Sequence, residues 1–248
     1  MLNTFKSSVI SLIVPILLLF FWWMLSTSVN KFYLPTPLNT FSEFIEIASN
    51  GELIEDILSS LSRLGIGLAI SIIPAIILGI IIGINKTISK LFLPSVNGFR
   101  VIPITALLPV IIMAFGFSNW AVLSVIFLAA FFPTIIATAH AVENISTTYS
   151  NIINDFNLSV VKSFTKILIP GAMPGILTGI DLSINSAFRM MVVSELFGSP
   201  NGLGFRLMDS SQFLNFKKIY ALMIVIAILG FLITMIFNSF KKYLLRWI

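Results

Sequence analysis

An all-α membrane protein with six transmembrane helices is what this sequence predicts, on three observations. Hydrophobic residues make up 57% of the 248 residues and charged ones 10%, far from the mixture of a water-soluble domain. The apolar residues fall in blocks of about twenty, the length that crosses a bilayer as a helix. The stretches between blocks hold most of the charge, and the basic residues gather on alternate connections, as the positive-inside rule requires.

The same composition removes several function classes. There is no cysteine, so disulfides and thiolate metal sites are excluded. The single histidine, His140, cannot form a metal cluster alone. The net charge of +5 follows from membrane topology and calls for no nucleic acid. Residues 79–87, GIIIGINKT, nearly match a Walker A loop, but Asn85 stands where a glycine must precede Lys86-Thr87. Lys86 is therefore read as a membrane-edge anchor, and the chain is expected to be no ATPase and to need no cofactor.

Taken in order, Lys6 precedes a first span at 8–26, read as a retained anchor because no small-residue cleavage pattern follows. Residues 29–59 are the longest polar region, with an extended entry at Tyr33-Leu34-Pro35-Thr36-Pro37 and a short interfacial helix at 41–47. The second span, 61–84, carries Gly65, Gly67, Gly79 and Gly83, small residues that permit close helix contact in lipid. The third and fourth spans, 101–115 and 120–141, contain Pro103, Pro109 and Pro133, read as gating kinks or as packing features. The fifth, 174–197, is the most polar, and the sixth is 219–240. Six spans put both termini on one side, with Lys86, Lys90, Arg100, Lys162, Lys166, Lys241, Lys242 and Arg246; that basic excess makes it the cytoplasmic side.

Between the fourth and fifth spans lies NIINDFNLSVVKSFTKILIP, residues 151–170, on that same side. At helical spacing Val160, Val161, Phe164, Ile167 and Leu168 form an apolar face, with Ser159, Lys162, Ser163 and Lys166 opposite. Ser159 is a good N-cap, and Asn157 suits a tight turn after a shorter helical piece at 151–156. The segment reads either as a helical hairpin fitting a groove on a soluble partner or as an amphipathic loop on lipid headgroups.

Its ending, Ile167-Leu168-Ile169-Pro170, and the spacing back to Asn157 and Asn151 resemble the EAA loop of ABC importer permeases. The family pattern is Glu-Ala-Ala, a later Gly, then Ile-x-Leu-Pro. Here Asn151, Ile152 and Ile153 stand at the Glu-Ala-Ala positions, Asn157 at the Gly and Ile169 at the Leu. The flanks share the resemblance. Residues 101–109 (VIPITALLP) with Phe115-Gly116, and Phe131-Phe132-Pro133, are similar to segments of the nitrate/sulfonate/taurine branch. So are residues 170–179, Val192-Val193-Ser194-Glu195, Gly202-Leu203-Gly204-Phe205 and Leu244-Leu245-Arg246-Trp247.

The resemblance implies a MetI-like helical bundle with a cytoplasmic coupling loop. Its divisions are an N-terminal helix and extracytoplasmic loop at 1–57 and a permease core at 58–248. It implies a dimer, with a second copy or a paralogue, that lines a path for a small solute. Two separate ABC ATPase subunits dock on the loops, and an extracytoplasmic substrate-binding protein delivers the solute, of the nitrate/sulfonate/taurine-like anion or vitamin-precursor class. Losing the Glu and Gly of the loop removes a charge and a flexible turn point from the docking element.

Asp181, Asn185 and Arg189 recur every four residues and form one stripe on the fifth helix, with Glu195 toward its outer end. Ionisable groups at membrane depth face protein or a wet cavity. The stripe is a path lining in which Arg189 attracts an anion, or an Asp181–Arg189 pair that fixes packing. Asn185, Arg189 and Glu195 are the path candidates, while Glu195 also reads as a support for the outer turn at Gly202 and Gly204. A stand-alone channel or ion-coupled carrier built on this stripe is the alternative function.

Overall fold

The computed structural model describes residues 2–29, 32–156 and 159–247, with side chains for 13–29, 32–145, 159 and 161–247. Among these the secondary structure is entirely helical: α1 (Leu2–Ser28), α2 (Pro37–Ser49), α3 (Glu52–Ile84), α4 (Lys86–Val101) and α5 (Ile104–Phe115). After them come α6 (Asn119–Phe156), α7 (Val160–Ser163), a π-helical turn (Phe164–Leu168), α8 (Ile169–Gly198), α9 (Leu203–Gln212) and α10 (Phe216–Leu244).

The core is a three-helix stack in which α6 lies between α3 and α8. Ala121, Val122, Val125, Ile126, Ala129 and Ala130 are all buried on α6. Lipid offers no hydrophobic drive between helices, so close backbone approach and interhelical hydrogen bonds hold the stack. A Cβ on Gly79 of α3 would lie 2.6 Å from Cβ of Thr138, and one on Gly175 of α8 would lie 2.5 Å from Cβ of Ala141. Between α6 and α8 the buried hydroxyls of Thr134 and Ser183 are 2.7 Å apart.

Among the described residues, four helices are long and apolar enough to cross a membrane: α3, α6, α10 and the run 161–198. A fifth span arises if α4 and α5 are taken together; α1 contributes an apolar stretch, Ile13–Ser28. The expected third span departs from this. Residues 101–115 are not one helix: the chain bends by 84° between α4 and α5. Ile102 is extended (ψ 121°) because the ring of Pro103 disfavours α-helix in the residue before it. The remaining 12-residue α5 is about 18 Å long, short of a hydrocarbon core of about 30 Å.

The interfacial helix expected at 41–47 is longer, as α2, because Thr36 caps it by accepting from the Asn39 N–H (3.2 Å) and Pro37 opens it. It packs on α10, and Trp22 of α1 stacks on Tyr220 while donating to the Pro35 carbonyl (3.1 Å). Chain direction puts α2, α9 and the start of α3 at one end of the bundle. At the other end is α7.

Candidate functional site

At the α9 end, four residues of α3 form one polar stripe: Glu52, Asp56, Ser60 and Arg63. Each finds a partner far along the chain. Arg63 pairs with Glu195 of α8 at 2.7 Å, and Glu195 has no exposed side-chain surface. Arg63 Nε also donates to Asn119 (2.8 Å), and its other nitrogens donate to the carbonyl and side-chain oxygens of Asn201. The second oxygen of Glu195 accepts from the Ser60 hydroxyl (2.8 Å) and the Gly204 N–H (3.0 Å). Ser60 in turn accepts from the Leu203 N–H (3.0 Å).

Asp56 accepts from the Gly202 N–H (3.0 Å) and from Arg206 Nε (2.7 Å), and Arg206 reaches Glu52 at 3.1 Å. Partial burial opposes the Arg206 charge, but the hydrogen bond and charge of Asp56 outweigh it and raise its pKa. The result is a clasp. It ties α3, α8, the 199–202 turn and α9 together with every buried charge paired and hydrogen-bonded, the condition under which such charges are tolerated.

The expected outer turn sits inside this clasp. Gly202 has φ +108°, and a Cβ on it would fall 2.7 Å from a Glu195 oxygen. A Cβ on Gly204 would meet Glu195 Cβ at 2.6 Å. Asp56 and Arg63 are the residues that sequence reasoning missed. The signal was there: Asp56, Ser60 and Arg63 recur at i, i+4 and i+7, one face of an otherwise apolar helix.

The α8 stripe divides in two. Asn185 donates to the Asp181 carbonyl (2.8 Å) and carboxylate (3.2 Å) and accepts from Thr234 of α10 (2.9 Å). Asp181 and Asn185 therefore serve helix packing, and Asp181 forms no ion pair with Arg189 among the described residues. Arg189 is exposed and instead lines a cavity of about 640 Å³ between α4, α5, α6 and α8. Arg100, at the end of α4, lines it too, with Phe99, Phe132 and Ser186. Glu195 does not line that cavity; it is sequestered with Arg63.

At the α7 end, Asn151, Ile152 and Ile153 lie in the last turns of α6, which continues unbroken to Phe156, so the shorter helical piece is the end of the fourth span. Asn157 lies outside the described residues. Ser159 stands before α7, its carbonyl accepting from the Ser163 N–H (3.0 Å). From Val161 the helix runs on into α8, so residues 161–170 and the fifth span are one continuous rod.

The predicted two-faced pattern needs one correction. Val161, assigned to the apolar face, is 73% exposed, whereas Ser163, assigned to the polar face, is buried. The π turn explains this, since it inserts a residue and rotates everything before it relative to α8. Pro170 is the local cause: it has no N–H, and its ring would clash with the carbonyl four residues back. The Ile169 N–H accordingly bonds to the Phe164 carbonyl, five residues back. Ser163 satisfies its hydroxyl on the Ser159 carbonyl (3.0 Å), and Leu168 is buried with Val142, Ala172 and Ile176. Lys162 and Lys166 are exposed, while Ile167, Ile169 and Pro170 are half-buried. His140, nearby on α6, lies 3.8 Å from Glu143.

Residues 75–248 match the model for the binding-protein-dependent transport system inner membrane component. A Bacillus subtilis permease named for aliphatic sulfonates transport is 29% identical over 238 residues, covering 95% of this chain and 86% of its own. The taurine transport system permease of Escherichia coli is 26% identical over 93% of this chain and 86% of its own. The bicarbonate transport system permease of Synechococcus elongatus is 29% identical over 91% and 84%.

Proposed function

The chain belongs to the binding-protein-dependent transport system inner membrane component family, within the nitrate/sulfonate/taurine branch of ABC importer permeases, and from this premise we propose how it couples and what it carries. It is a multi-pass inner-membrane permease subunit of an ABC importer. In the reading we favour, both termini and residues 151–170 are cytoplasmic, and the segment docks in a cleft of a separate ABC ATPase. Two permeases, identical or paralogous, work with two ATPase subunits, and a binding protein presents the solute at the α9 end. Residues 58–248 make the permease core and 1–57 an N-terminal helix and extracytoplasmic loop, joined through α3, whose first residues Glu52 and Asp56 hold α9.

One observation carries the coupling mechanism: the second half of the docking segment, from Val161, continues through the π turn into α8 as a single rod. Movement imposed on Lys162 at the docking face is delivered along α8 to Arg189 in the cavity and Glu195 in the clasp. The clasp holds the α9 ends of α3 and α8 together, so α8 carries α3 with it. The solute is an anion of the class transported by the relatives, with Arg189 on its path. Nothing observed favours a stand-alone channel.

The test is purification of the tagged chain from its native membrane in mild detergent, with mass spectrometry of what accompanies it. A P-loop ATPase that co-elutes, and is lost when 151–170 is replaced by a flexible linker, supports the reading. A chain that elutes alone and moves solute in vesicles without ATP overturns it.

A further inference from the structure

We propose that the α7 end of α10 holds an anionic phospholipid, its headgroup phosphate met by Lys241 and Lys242 and an acyl chain lying along the helix beside them. Such a lipid belongs to the surroundings of the protein and not to its cargo, and its site is separate from the cavity at Arg189. Charge brackets α10: Lys217 and Lys218 open it, 22 uncharged residues follow at 219–240, and Lys241 and Lys242 come in its last turn. Those residues rise about 33 Å, slightly more than a hydrocarbon core of about 30 Å, so the second pair of ammonium groups stands at the level of the lipid phosphates.

The helices α8 and α10 run antiparallel and keep register down to that level. Thr234 donates to Asn185 (2.9 Å), and one heptad further Lys241 Nζ donates to Thr178 Oγ1 (3.0 Å). Asn238, Lys241, Lys242 and Leu245 then wall a cavity of about 500 Å³. Thr178 fixes Lys241 in place beside Lys242 on this cavity. The two ends of α10 differ in counter-charge. At the α9 end, Lys218 borders a small pocket that it shares with Glu52 and Asp56. At the α7 end no carboxylate lines the cavity; Asp181, one turn along α8 from Thr178, accepts from Asn185. Among the described residues Lys241, Lys242 and Arg246 form no ion pair, and Arg246 lies 4.6 Å over the ring of Tyr243.

Two ammonium groups without carboxylate partners, three N–H donors each, suit the oxygens of a phosphate. The adjoining apolar surface selects a lipid over a free phosphate. Phe231 and Met235 stand at i and i+4, with Asn238 and Lys242 at i+7 and i+11, so one stripe runs from the cavity into the membrane interior. Both apolar side chains are exposed, and an acyl chain hanging from a phosphate at Lys242 covers them. Tyr243 and Trp247, also exposed, belong to the aromatic layer at the headgroups. Net charge selects among lipids: a zwitterionic headgroup brings its own cation to a cluster that already holds three, whereas an anionic one neutralises it.

The experiment is native mass spectrometry of the full-length chain in a neutral detergent, titrated with dioleoyl phosphatidylglycerol, dioleoyl phosphatidylcholine or glycerol 3-phosphate. Phosphatidylglycerol is expected to stay bound as a discrete adduct, with phosphatidylcholine and glycerol 3-phosphate each at least tenfold weaker. The double variant K241Q/K242Q should weaken phosphatidylglycerol binding by about tenfold or more. The double variant K86Q/K90Q, which removes two exposed charges from the start of α4 at the same end of the bundle, should leave it within about twofold. Equal retention of phosphatidylcholine, equal binding of glycerol 3-phosphate, or equal losses in the two double variants overturns the proposal, the last because it marks a diffuse basic belt. Unchanged affinity in folded K241Q/K242Q overturns it as well. The wild-type lipid series decides even where a variant does not fold.

Discussion

Arg63 and Glu195 are 132 residues apart in the chain and 2.7 Å apart in space, with 6% and 0% of their side chains exposed. Around this pair the chain organises an entire end of the bundle. Glu195 also receives Ser60 and Gly204, so removing either charge strands its partner among satisfied groups.

Replacing Glu195 by Gln should therefore destabilise the protein by roughly 3–5 kcal/mol, the cost of leaving a buried charge unpaired. Replacing Arg63 by Met and Glu195 by Leu together should recover much of that loss, since no charge is then buried alone. Thermal unfolding in detergent measures both. Equal losses in single and double variants would show that the pair contributes nothing beyond its packing.

Substituting Gly202 by Ala should cost about 1–3 kcal/mol, because a side chain at φ +108° is strained. Its Cβ also reaches the Glu195 carboxylate, so α9 should loosen from α8. Faster proteolysis within 199–206 is the expected readout. Wild-type proteolysis would mean that the turn does not depend on this glycine.

Gly65 and Gly79 lie on the same helix but should respond oppositely to Leu. Nothing lies within 4 Å of a Cβ on Gly65, so Gly65→Leu should change stability by about 0.5 kcal/mol or less. Gly79→Leu pushes into Thr138 and the Ile135 carbonyl and should cost about 1–3 kcal/mol or more by overpacking. Comparable melting temperatures for the two variants would contradict the α3–α6 packing described here.

Pro170→Ala restores the missing N–H and removes the clash that favours the π turn. The expected result is a folded membrane protein in which 159–163 has rotated relative to α8 and ATPase capture falls. Lys162→Glu, a charge reversal on the exposed face, should reduce capture without changing thermal stability. Capture as strong as wild type in both variants would remove residues 159–163 from the docking surface.

Much of the bundle is legible from local pattern. Five of the expected spans, 8–26, 61–84, 120–141, 174–197 and 219–240, lie within α1, α3, α6, α8 and α10, because about twenty apolar residues leave a helix no other place to go. The third span differs from its pattern because hydropathy sums over a window and does not register where backbone geometry breaks it, at Ile102-Pro103. Val161 and Ser163 exchange the faces their spacing predicts because a constant 3.6-residue period cannot foresee the residue inserted by the π turn before Pro170.

The sequence by itself determined that this is a helical membrane protein and which permease branch it resembles. Composition, block length and ordered motifs are properties of neighbouring residues and survive without a fold. Only the tertiary structure decided that Glu195 belongs to Arg63, that Asp181 belongs to Asn185, and that Arg189 shares a cavity with Arg100. Those choices depend on which helix faces meet. In lipid, where hydrophobicity does not drive helices together, that is settled by close contact at glycine and by long-range pairing of charge.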